Sequence, residues 1–340
     1  MSRLASIVIA GSALLLPLST ACAQLTDPVY RGGIREAKPK ADGAVRIATY
    51  NIENLFDDRD DPALEGRYDD QWAYEKTFRP KPQRHQKAAA DAIRKLDADI
   101  LGLQEIESYD ALIEFRETYL KDMGYDYVIS IDVGQERGIE QAVLSRYPIR
   151  QASVWPNMPL EGAHPEDSRD AGEPLAYRRS PLMVDVEIPG EQPYELTIFV
   201  IHHKSGSRNA YWREAEADAL LGKIATMRRS DPQRNIAVMG DFNATVQDEA
   251  VQKYVSSGLI DTLGERKKGD EAVITHSSAR SIDFVFVTPS LNAEVIQGSG
   301  FVLGATPWRA RDIDWRNTPA PPGYASDHHP VAVDLVPRDK

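Results

Sequence analysis

The chain has 340 residues, with 40 Lys and Arg against 52 Asp and Glu, so its formal net charge is −12. An acidic chain repels polyanions at long range, which argues against tight, salt-driven binding of nucleic acid as its main activity. Hydrophobic residues make up 42% of the chain, an ordinary globular composition, and the length allows one large domain or two small ones.

The first 23 residues have the pattern of an export leader. A short basic start, Met1–Arg3, precedes an apolar run from Leu4 to Leu18 and the small-residue site Ala21–Ala23. This pattern predicts a secretory signal peptide that is cleaved before Gln24. The apolar run is shorter than the roughly 20 residues of a membrane span. We therefore expect a periplasmic or secreted protein with no stable membrane insertion after cleavage.

The only cysteine, Cys22, lies in this leader, so the cleaved chain can form no disulfide and offers no thiolate to a metal. Residues 19–22 also loosely resemble a bacterial lipoprotein box, although Leu18 lies one position too early for that motif. Lipid anchoring through Cys22 is therefore the alternative to simple cleavage. Residues 24–43 are polar with scattered Pro and Gly, which predicts an N-terminal linker.

Apolar or alternating stretches in the rest of the chain predict short β-strands without a tandem repeat. In chain order they are Val45 to Tyr50, Ile100 to Leu103, Tyr127 to Ile131, Ala142 to Leu144, Leu182 to Ile188, Leu196 to Ile201, Ile236 to Met239, Ile282 to Val287 and Val331 to Val336. Helical spacing of apolar residues predicts helices over His85 to Leu96 and Arg213 to Met227. Segments 57–82, 157–177 and 306–324, rich in Pro, Gly and charge, are predicted insertions around one core.

Many strands with few helices predict an α+β fold with two packed sheets covered by helices. Polar residues concentrate at the predicted strand ends. Residues just after a strand are Asn51, Glu53, Gln104, Glu105, His202, Asp241 and Asn243, and those at or before a strand start are Asp283, Asp327 and His328. Since antiparallel neighbours bring opposite strand ends to one edge, both groups are expected to meet there.

These residue types suit phosphoester hydrolysis, which needs a hard cation on oxygen ligands and an activated water. Glu53 and Glu105 are candidate metal ligands, and the Asn51 amide can orient water or a phosphate oxygen. Any one of them alone could be a strand-end side chain that reaches solvent. The sequence GDFN after an apolar strand is stronger, because Gly240 permits a sharp turn that projects Asp241 and Asn243 to one place.

Two histidine pairs, His202 with His203 and His328 with His329, lie at strand ends. Strand side chains alternate between faces, so only one histidine of each pair can face the site. We assign His202 and His328 to the site as proton-transfer groups and interpret the other two as structural or rim residues.

Seven motifs now match a known family in order. They are TYNIENLF, LQEIE, RSP at Arg179–Pro181, IHHKS, GDFNA, SIDFVFV and SDHHPV. The chain from about Val45 to Val336 resembles the endonuclease/exonuclease/phosphatase superfamily, which includes pancreatic-type deoxyribonuclease, apurinic endonucleases, sphingomyelinases and inositol-polyphosphate phosphatases. The resemblance implies a four-layered α/β sandwich, two packed mixed β-sheets flanked by helices, with residues 44–340 as the catalytic domain.

The resemblance also implies a metal site. Glu105 would be the principal ligand, with Asn51 and Asp327 completing or supporting the site. Mg²⁺ is the expected cofactor, with Mn²⁺ or Ca²⁺ as alternatives.

The remaining implied roles concern water and phosphate. Asp241 and Asn243 would position both, and Arg179 would contact a non-reacting phosphate oxygen. His328 would be paired with Asp283, while Asp241, His202 and His328 are rival general bases.

Alignment of GIEQAVLSRYPI makes Glu140 the expected acidic partner of His202. Gly138 stands where some nucleases carry an aromatic residue, which puts DNA-groove contacts in doubt.

Other basic residues lie near these motifs. Lys204 is a candidate phosphate contact. Arg208 and Arg213 could also line a phosphate groove, but we favour Arg208 as a loop residue and Arg213 as part of an exposed helix face. Arg266–Lys268 is interpreted as a solvated turn.

The sequence therefore predicts an exported, monomeric, Mg²⁺-dependent phosphodiester hydrolase of nuclease-like type, in which activated water attacks in line. A lipid or inositol phosphate phosphoesterase, similar to a sphingomyelinase, is the alternative within the same chemistry. A non-catalytic binding module with the same fold is the alternative outside it.

Overall fold

The computed structural model describes residues 32–59, 80–135, 137–190, 192–267, 269–306, 308 and 319–338. Within these ranges the chain forms two six-stranded sheets and a two-stranded ribbon. The strands are β1 (Val45–Leu55), β2 (Ile100–Ile106), β3 (Tyr127–Ser130), β4 (Glu140–Ser145), β5 (Ile149–Ser153), β6 (Pro159–Ala163), β7 (Pro174–Ala176), β8 (Leu182–Ile188), β9 (Tyr194–His202), β10 (Ile236–Asp241), β11 (Ile260–Asp261), β12 (Asp283–Val287), β13 (Phe301–Val302) and β14 (Val331–Leu335).

The strand order brings several strand ends together. Sheet one has the order β13-β14-β1-β2-β4-β3, and sheet two has the order β11-β12-β10-β9-β8-β5. In each sheet a parallel pair, β1 with β2 and β9 with β10, places two C-terminal ends side by side. The antiparallel neighbours β14 and β12 begin at the same edges. Strand ends from both sheets are therefore available to form one site.

Helices cover the outer faces of both sheets. They are α1 (Gln83–Leu96), α2 (Tyr109–Phe115, which continues into a π-helical turn at Arg116–Leu120), α3 (Ala210–Ser230) and α4 (Glu249–Ser256). A short helix, α5 (Pro289–Asn292), instead contributes Leu291 to the core between the sheets. Helices α1 and α2 pack in the apolar cluster of sheet one, and α3 and α4 pack in that of sheet two. The predicted four-layered sandwich of two mixed sheets flanked by helices is confirmed.

Alternation along the strands separates the inner core from the two outer cores. In β2, Ile100 faces the core between the sheets, while Leu101 and Leu103 face the helices on sheet one. The sheets approach closely at Gly102, where an added Cβ would lie 2.8 Å from Met239 and 2.9 Å from Val200. A larger residue at this position would push the two sheets apart.

Part of the predicted insertion 157–177 forms the β6–β7 ribbon, which packs on α3. The Trp212 indole N–H donates to the Ala176 carbonyl 2.9 Å away and fastens the ribbon. The prediction that Arg213 lies on an exposed helix face is wrong, because its guanidinium is buried and donates to the carbonyls of Lys204 and Gly206.

The predicted solvated turn at residues 266–268 is also wrong at Arg266. Its guanidinium is buried, forms an ion pair with Asp261 at 2.5 Å and lies 3.8 Å from the centroid of the Phe284 ring. Arg208 is exposed and lies in a short 3-10 turn, Ser207–Asn209, directly before α3.

Residues 32–43, within the predicted linker, are docked on the body of the domain. Ile34 forms a parallel bridge with Leu303, and the Lys38 ammonium donates to the carbonyls of Gly298 and Gly300. The predicted signal peptide, Cys22, and most of the insertions 57–82 and 306–324 lie outside the described residues. Among the residues that the structure describes, no helix combines the length and apolarity that crossing a membrane requires.

Candidate active site

The strand ends that the sequence singles out meet at one edge of the sandwich. Asp241, the last residue of β10, lies directly opposite both His202 of β9 and Asp283 of β12. Sheet one contributes Asn51, whose side-chain amide donates to the Asp241 carboxylate at 3.3 Å. The loop before β14 contributes His328, whose Nε2 lies 3.7 Å from the same carboxylate. Residues as far apart in the chain as Asn51 and His328 thus surround one group.

The backbone at this edge is held in a conformation that non-glycine residues rarely adopt. Glu53, Asn54, Glu105 and Asn243 all have positive φ angles, between 50° and 65°. The positive φ of Glu105 coincides with a register shift between β2 and β4, which turns its side chain away from the strand alternation. Backbone strain of this kind concentrates at functional sites, because the surrounding fold must maintain it.

The close approach of β10 to β9 at this edge requires a glycine at position 240. Its φ is +150°, and a Cβ there would lie 2.0 Å from the carbonyl oxygen of Ile201. The GDFN turn therefore depends on glycine to bring β10 against β9 while Asp241 keeps its place beside His202.

The Asp241 carboxylate is the centre of the cluster. Its Oδ1 accepts from the Asn243 backbone N–H at 2.8 Å, and its Oδ2 accepts from the side-chain amides of Asn243 and Asn51 at 3.1 and 3.3 Å. The Nε2 atoms of His202 and His328 lie 3.5 and 3.7 Å from Oδ2. Burial raises the pKa of this carboxyl group to about 7, against the opposing effect of the His328 charge.

His328 is held by Asp283 in the predicted pair. Both carboxylate oxygens of Asp283 lie 3.0 Å from His328 Nδ1, and Thr275 Oγ1 accepts from the Asp283 backbone N–H. Burial alone would lower the pKa of His328, but the charges of Asp283 and Asp241 outweigh it and raise the pKa well above its usual value. His328 is therefore an imidazolium at neutral pH, with Nε2 facing Asp241.

His202 is in the opposite protonation state. Arg179 Nη1 lies 2.6 Å from His202 Nε2, and because a guanidinium keeps its protons, Nε2 is the acceptor. Burial, followed by the nearby Arg179 charge, lowers the pKa of His202 well below its usual value. His202 is thus a neutral ring that orients Arg179.

The predicted pairing of Glu140 with His202 is not formed. His202 Nδ1 is buried with no hydrogen-bond partner in the described part of the chain. Glu140 is buried at the start of β4 in sheet one, opposite Ile106, whereas His202 lies in sheet two. The register shift at Glu105 moves Glu140 one step along the strand, so motif alignment alone misplaced its contact.

Two of the predicted metal ligands, Asn51 and Glu105, lie at adjacent strand ends of sheet one, where Asn51 pairs with Gln104. The Glu105 carboxylate accepts from the Asn54 backbone N–H at 3.0 Å, and its Oε1 lies 3.9 Å from His202 Nε2. Asn51 Oδ1 accepts from the backbone N–H of Glu53 at 3.0 Å. Glu53 itself is engaged elsewhere, because its carboxylate accepts from the Tyr324 hydroxyl.

These residues fit a divalent cation of the magnesium type. Glu105 and Asp327 are partly exposed carboxylates, and Asp241 is a buried one whose pKa is raised by burial and, to a smaller extent, by the neighbouring carboxylates of Asp283 and Glu105. Carboxylate and amide oxygens are the ligands that Mg²⁺ prefers, and a bound cation would supply the missing charge. In addition, ligand atoms of Asp241, Asp283 and His328 lie within 4.8 Å of one another.

Lys204 contacts an aromatic ring outside this cluster. Its ammonium lies 4.9 Å from the centroid of the Trp212 ring. The Lys204 backbone N–H donates to the buried Glu216 carboxylate, which also lies 3.1 Å from His203 Nδ1. His203 Nε2 lies 2.8 Å from the Tyr254 hydroxyl, so this histidine has the structural position expected for it. His329 is likewise buried, and its Nδ1 accepts from the Ala305 N–H.

One residue beside the site was missed by the sequence analysis. His276 Nε2 lies 3.4 Å from the Asp327 carboxylate, and its ring contacts the His328 ring edge to face at a centroid distance of 4.6 Å. His276 lies in the irregular loop before β12, where the sequence has no periodic pattern of apolar residues. Only its position seven residues before Asp283 links it to the motif SIDFVFV.

The family model described as "Endonuclease/Exonuclease/phosphatase family" matches residues 48–328. The chain belongs to this family. Its members are typically hydrolases of phosphoester bonds and generally use a divalent metal. No curated protein sequence matches the chain.

Solved structures share the fold at low sequence identity. The human Nocturnin catalytic domain with bound sulfate is 16% identical, with a TM-score of 0.55 over 87% of this chain and 95% of that one. Truncated Caenorhabditis elegans TDP2 is 16% identical, with a TM-score of 0.53 over 86% and 97%. An endonuclease/exonuclease/phosphatase from Beutenbergia cavernae is 20% identical, with a TM-score of 0.56 over 86% and 71%.

Proposed function

We propose that this protein is an exported phosphodiester hydrolase that depends on Mg²⁺ and acts on nucleic acid. The observation that carries the proposal is the Asp241 carboxylate, on which Asn51, Asn243, His202 and His328 converge. A structural carboxylate at a sheet edge needs no such concentration of polar side chains. The export leader at residues 1–23 supports delivery to the periplasm or the outside of the cell.

Asp241 is the proposed base that removes a proton from the attacking water. With its pKa raised to about 7, this carboxylate is basic enough to accept a proton and is still substantially ionised at neutral pH. The Asn243 and Asn51 amides, which donate to Asp241 in the structure, fix its orientation and can turn to the water or the phosphate. A water held by Asp241 would then attack phosphorus in line with the leaving oxygen.

Positive groups beside Asp241 would stabilise the charge that develops on the phosphate oxygens. His328 presents an imidazolium Nε2–H toward the cluster, and Asp283 holds the ring from behind. Arg179 offers a buried guanidinium oriented by His202. Preorganised donors of this kind supply a large share of the rate enhancement, at about 100-fold or more for each donor.

A divalent cation held by Glu105, with Asn51 and Asp327, would supply positive charge to the phosphate and weaken its bond to the leaving oxygen. All proposed ligands and catalytic groups come from a single chain, which is consistent with activity as a monomer.

The test is to incubate the purified protein with Mg²⁺, Mn²⁺, Ca²⁺ or EDTA and four substrates: plasmid DNA, RNA, sphingomyelin and bis-p-nitrophenyl phosphate. We expect metal-dependent cleavage of nucleic acid and of the small diester. Cleavage of sphingomyelin alone would overturn the nucleic-acid assignment in favour of a lipid phosphoesterase.

A pair of histidine variants distinguishes loss of a catalytic group from a general effect of removing a histidine. His328→Ala should lose turnover by about 100-fold or more. His164→Ala is the control, because the ring of His164 contacts Tyr211 and Trp212 beside the β6–β7 ribbon. Equal activity in both variants would contradict the proposed role of His328.

A further inference from the structure

Two guanidinium groups beside the candidate active site are held by neutral acceptors. Arg137 Nη2 donates to the Asn54 side-chain oxygen at 2.9 Å. Arg179 Nη1 donates to His202 Nε2 at 2.6 Å and to the His203 carbonyl at 3.1 Å. Within the part of the chain that the structure describes, neither guanidinium bonds to a carboxylate, so neither charge is cancelled by a directly bonded anion.

Other buried or half-buried arginines of this chain are paired with carboxylates. These pairs are Arg46 with Asp334, Arg146 with Asp99 and Arg234 with Asp185. Such pairing is the usual arrangement, because a charge that is removed from water needs a bonded counter-charge. With 52 Asp and Glu in the sequence, carboxylates are abundant. The neutral acceptors of Arg137 and Arg179 therefore favour an anion from outside the chain as the counter-charge.

The two arginines approach the site from opposite sheets. Arg137 lies in the loop before β4 of sheet one, and Arg179 lies between β7 and β8, the second of which belongs to sheet two. A chain of contacts joins them. The Asn54 backbone N–H donates to Glu105 Oε2 at 3.0 Å, and Glu105 Oε1 lies 3.9 Å from His202 Nε2, to which Arg179 donates. An anion at this edge could therefore meet a guanidinium from each sheet.

The charge of Arg137 acts on the buried groups of the site. Burial lowers the pKa of Arg179, and the charge of Arg137 lowers it further. Burial and the charge of Arg179 lower the pKa of His202, and Arg137 adds to this effect. The two guanidinium groups therefore repel one another, and an anion that contacts both would replace this repulsion with attraction.

Arg137 differs from Arg179 in its access to solvent. Arg179 is 4% exposed, whereas Arg137 is only half-buried. The bond to Asn54 uses one N–H group of the Arg137 guanidinium, and the remaining N–H groups can donate to an incoming ligand. The planar guanidinium matches the oxygens of a phosphate group, to which it can donate two bonds at once.

We propose that Arg137 is a further phosphate-binding residue, which donates to the substrate phosphate from sheet one while Arg179 donates from sheet two. Arg137 binds the phosphate and holds it beside Asp241, and it takes no part in proton transfer. The identity of the anion as the substrate rests on the proposed function, but the binding of a phosphate anion does not.

Anion binding is measured on the full purified chain by isothermal titration calorimetry with inorganic phosphate at constant Mg²⁺. Arg137→Gln removes the charge and keeps an amide that can donate to Asn54. We expect this variant to bind phosphate at least about 10-fold more weakly than the wild type. Arg150→Gln is the control, because it removes the same charge from an exposed pair with Glu187. It should bind phosphate as the wild type does.

Hydrolysis of bis-p-nitrophenyl phosphate is then measured against substrate concentration and against Mg²⁺ concentration. We expect Arg137→Gln to raise KM at least about 10-fold and to leave the Mg²⁺ concentration for half-maximal activity unchanged. A structural effect that passes through Asn54 to Glu105 would instead change the Mg²⁺ requirement. Methylguanidinium, added well below the concentration that unfolds proteins, should restore part of the activity that Arg137→Ala loses.

Two results would overturn the proposal: equal phosphate affinity in Arg137→Gln and Arg150→Gln, or a changed Mg²⁺ requirement with an unchanged KM. If the wild type hydrolyses none of the substrates but its affinity for inorganic phosphate depends on Arg137, the proposed function fails while the phosphate contact stands.

Discussion

Replacing Asp241 with Asn is expected to stabilise the metal-free protein at neutral pH, although it removes the proposed base. Burial raises the pKa of the Asp241 carboxyl group from 3.8 to about 7. The folded protein therefore retains a proton that the unfolded chain has lost, and stability falls as the pH rises from about 4 to about 7. The Asn side chain cannot ionise, so the variant does not lose stability in this way as the pH rises.

The magnitude follows from the span of pH. Above about pH 5 the unfolding free energy of the wild type falls until the pH reaches the folded-state pKa of the carboxyl group. That interval is roughly two pH units, each worth about 1.4 kcal/mol. The difference in unfolding free energy, Asp241→Asn minus wild type, should therefore rise by at most about 3 kcal/mol over this range. At about pH 5 the unfolded carboxyl group is already ionised, so about 1.6 kcal/mol of this loss has accumulated there, and the test is the change between the two pH values.

The assay is urea unfolding followed by tryptophan fluorescence, in EDTA at both pH values. The control is Asp91→Asn, because Asp91 is exposed and its pair with Lys87 should contribute less than about 1 kcal/mol at either pH. A difference between Asp241→Asn and the wild type that is the same at both pH values would refute the argument from burial.

Further predictions concern buried contacts. The Arg46 guanidinium donates to the buried Asp334 carboxylate at 2.6 and 3.0 Å. Arg46→Met leaves this carboxylate without its partner and should lower the free energy of unfolding, measured in urea, by about 3–5 kcal/mol. The control Lys87→Met removes an exposed pair and should change it by less than about 1 kcal/mol. Glu216→Ala removes the acceptor of the Lys204 backbone N–H and should cost about 1–3 kcal/mol for that buried donor, visible as a lower thermal midpoint. Arg179→Lys should reduce turnover about 100-fold with normal circular dichroism, because an ammonium cannot reproduce the planar guanidinium; full activity would contradict its assigned role.

The position of the site could be predicted because it depends on strand ends. Apolar runs locate the ends of β1, β2, β9 and β10, and polar residues that follow such runs must lie at a sheet edge. The choice between His202 and His203 follows from the alternation of side chains along a strand. The structure places them on opposite sides of β9, with His203 in contact with Tyr254 and the ring of Phe242.

The contacts of individual residues depended on features that have no periodic signal. The pairing of Glu140 was misplaced because a single bulge at Glu105 shifts the register of β4. Arg213 was misplaced because the carbonyls that it binds belong to the turn before its own helix. His276 was missed because its place beside the site depends on long-range backbone bonds to the loop before β14.

The most direct test of the account is hydrolysis of bis-p-nitrophenyl phosphate with Mg²⁺ in water enriched in heavy oxygen, for the wild type and Asp241→Asn. If the Asp241 cluster activates water to attack phosphorus, the heavy isotope appears in p-nitrophenyl phosphate and none appears in p-nitrophenol. The variant should then release product at least about 100 times more slowly. Label in the phenol, or equal rates for the two proteins, would contradict the account.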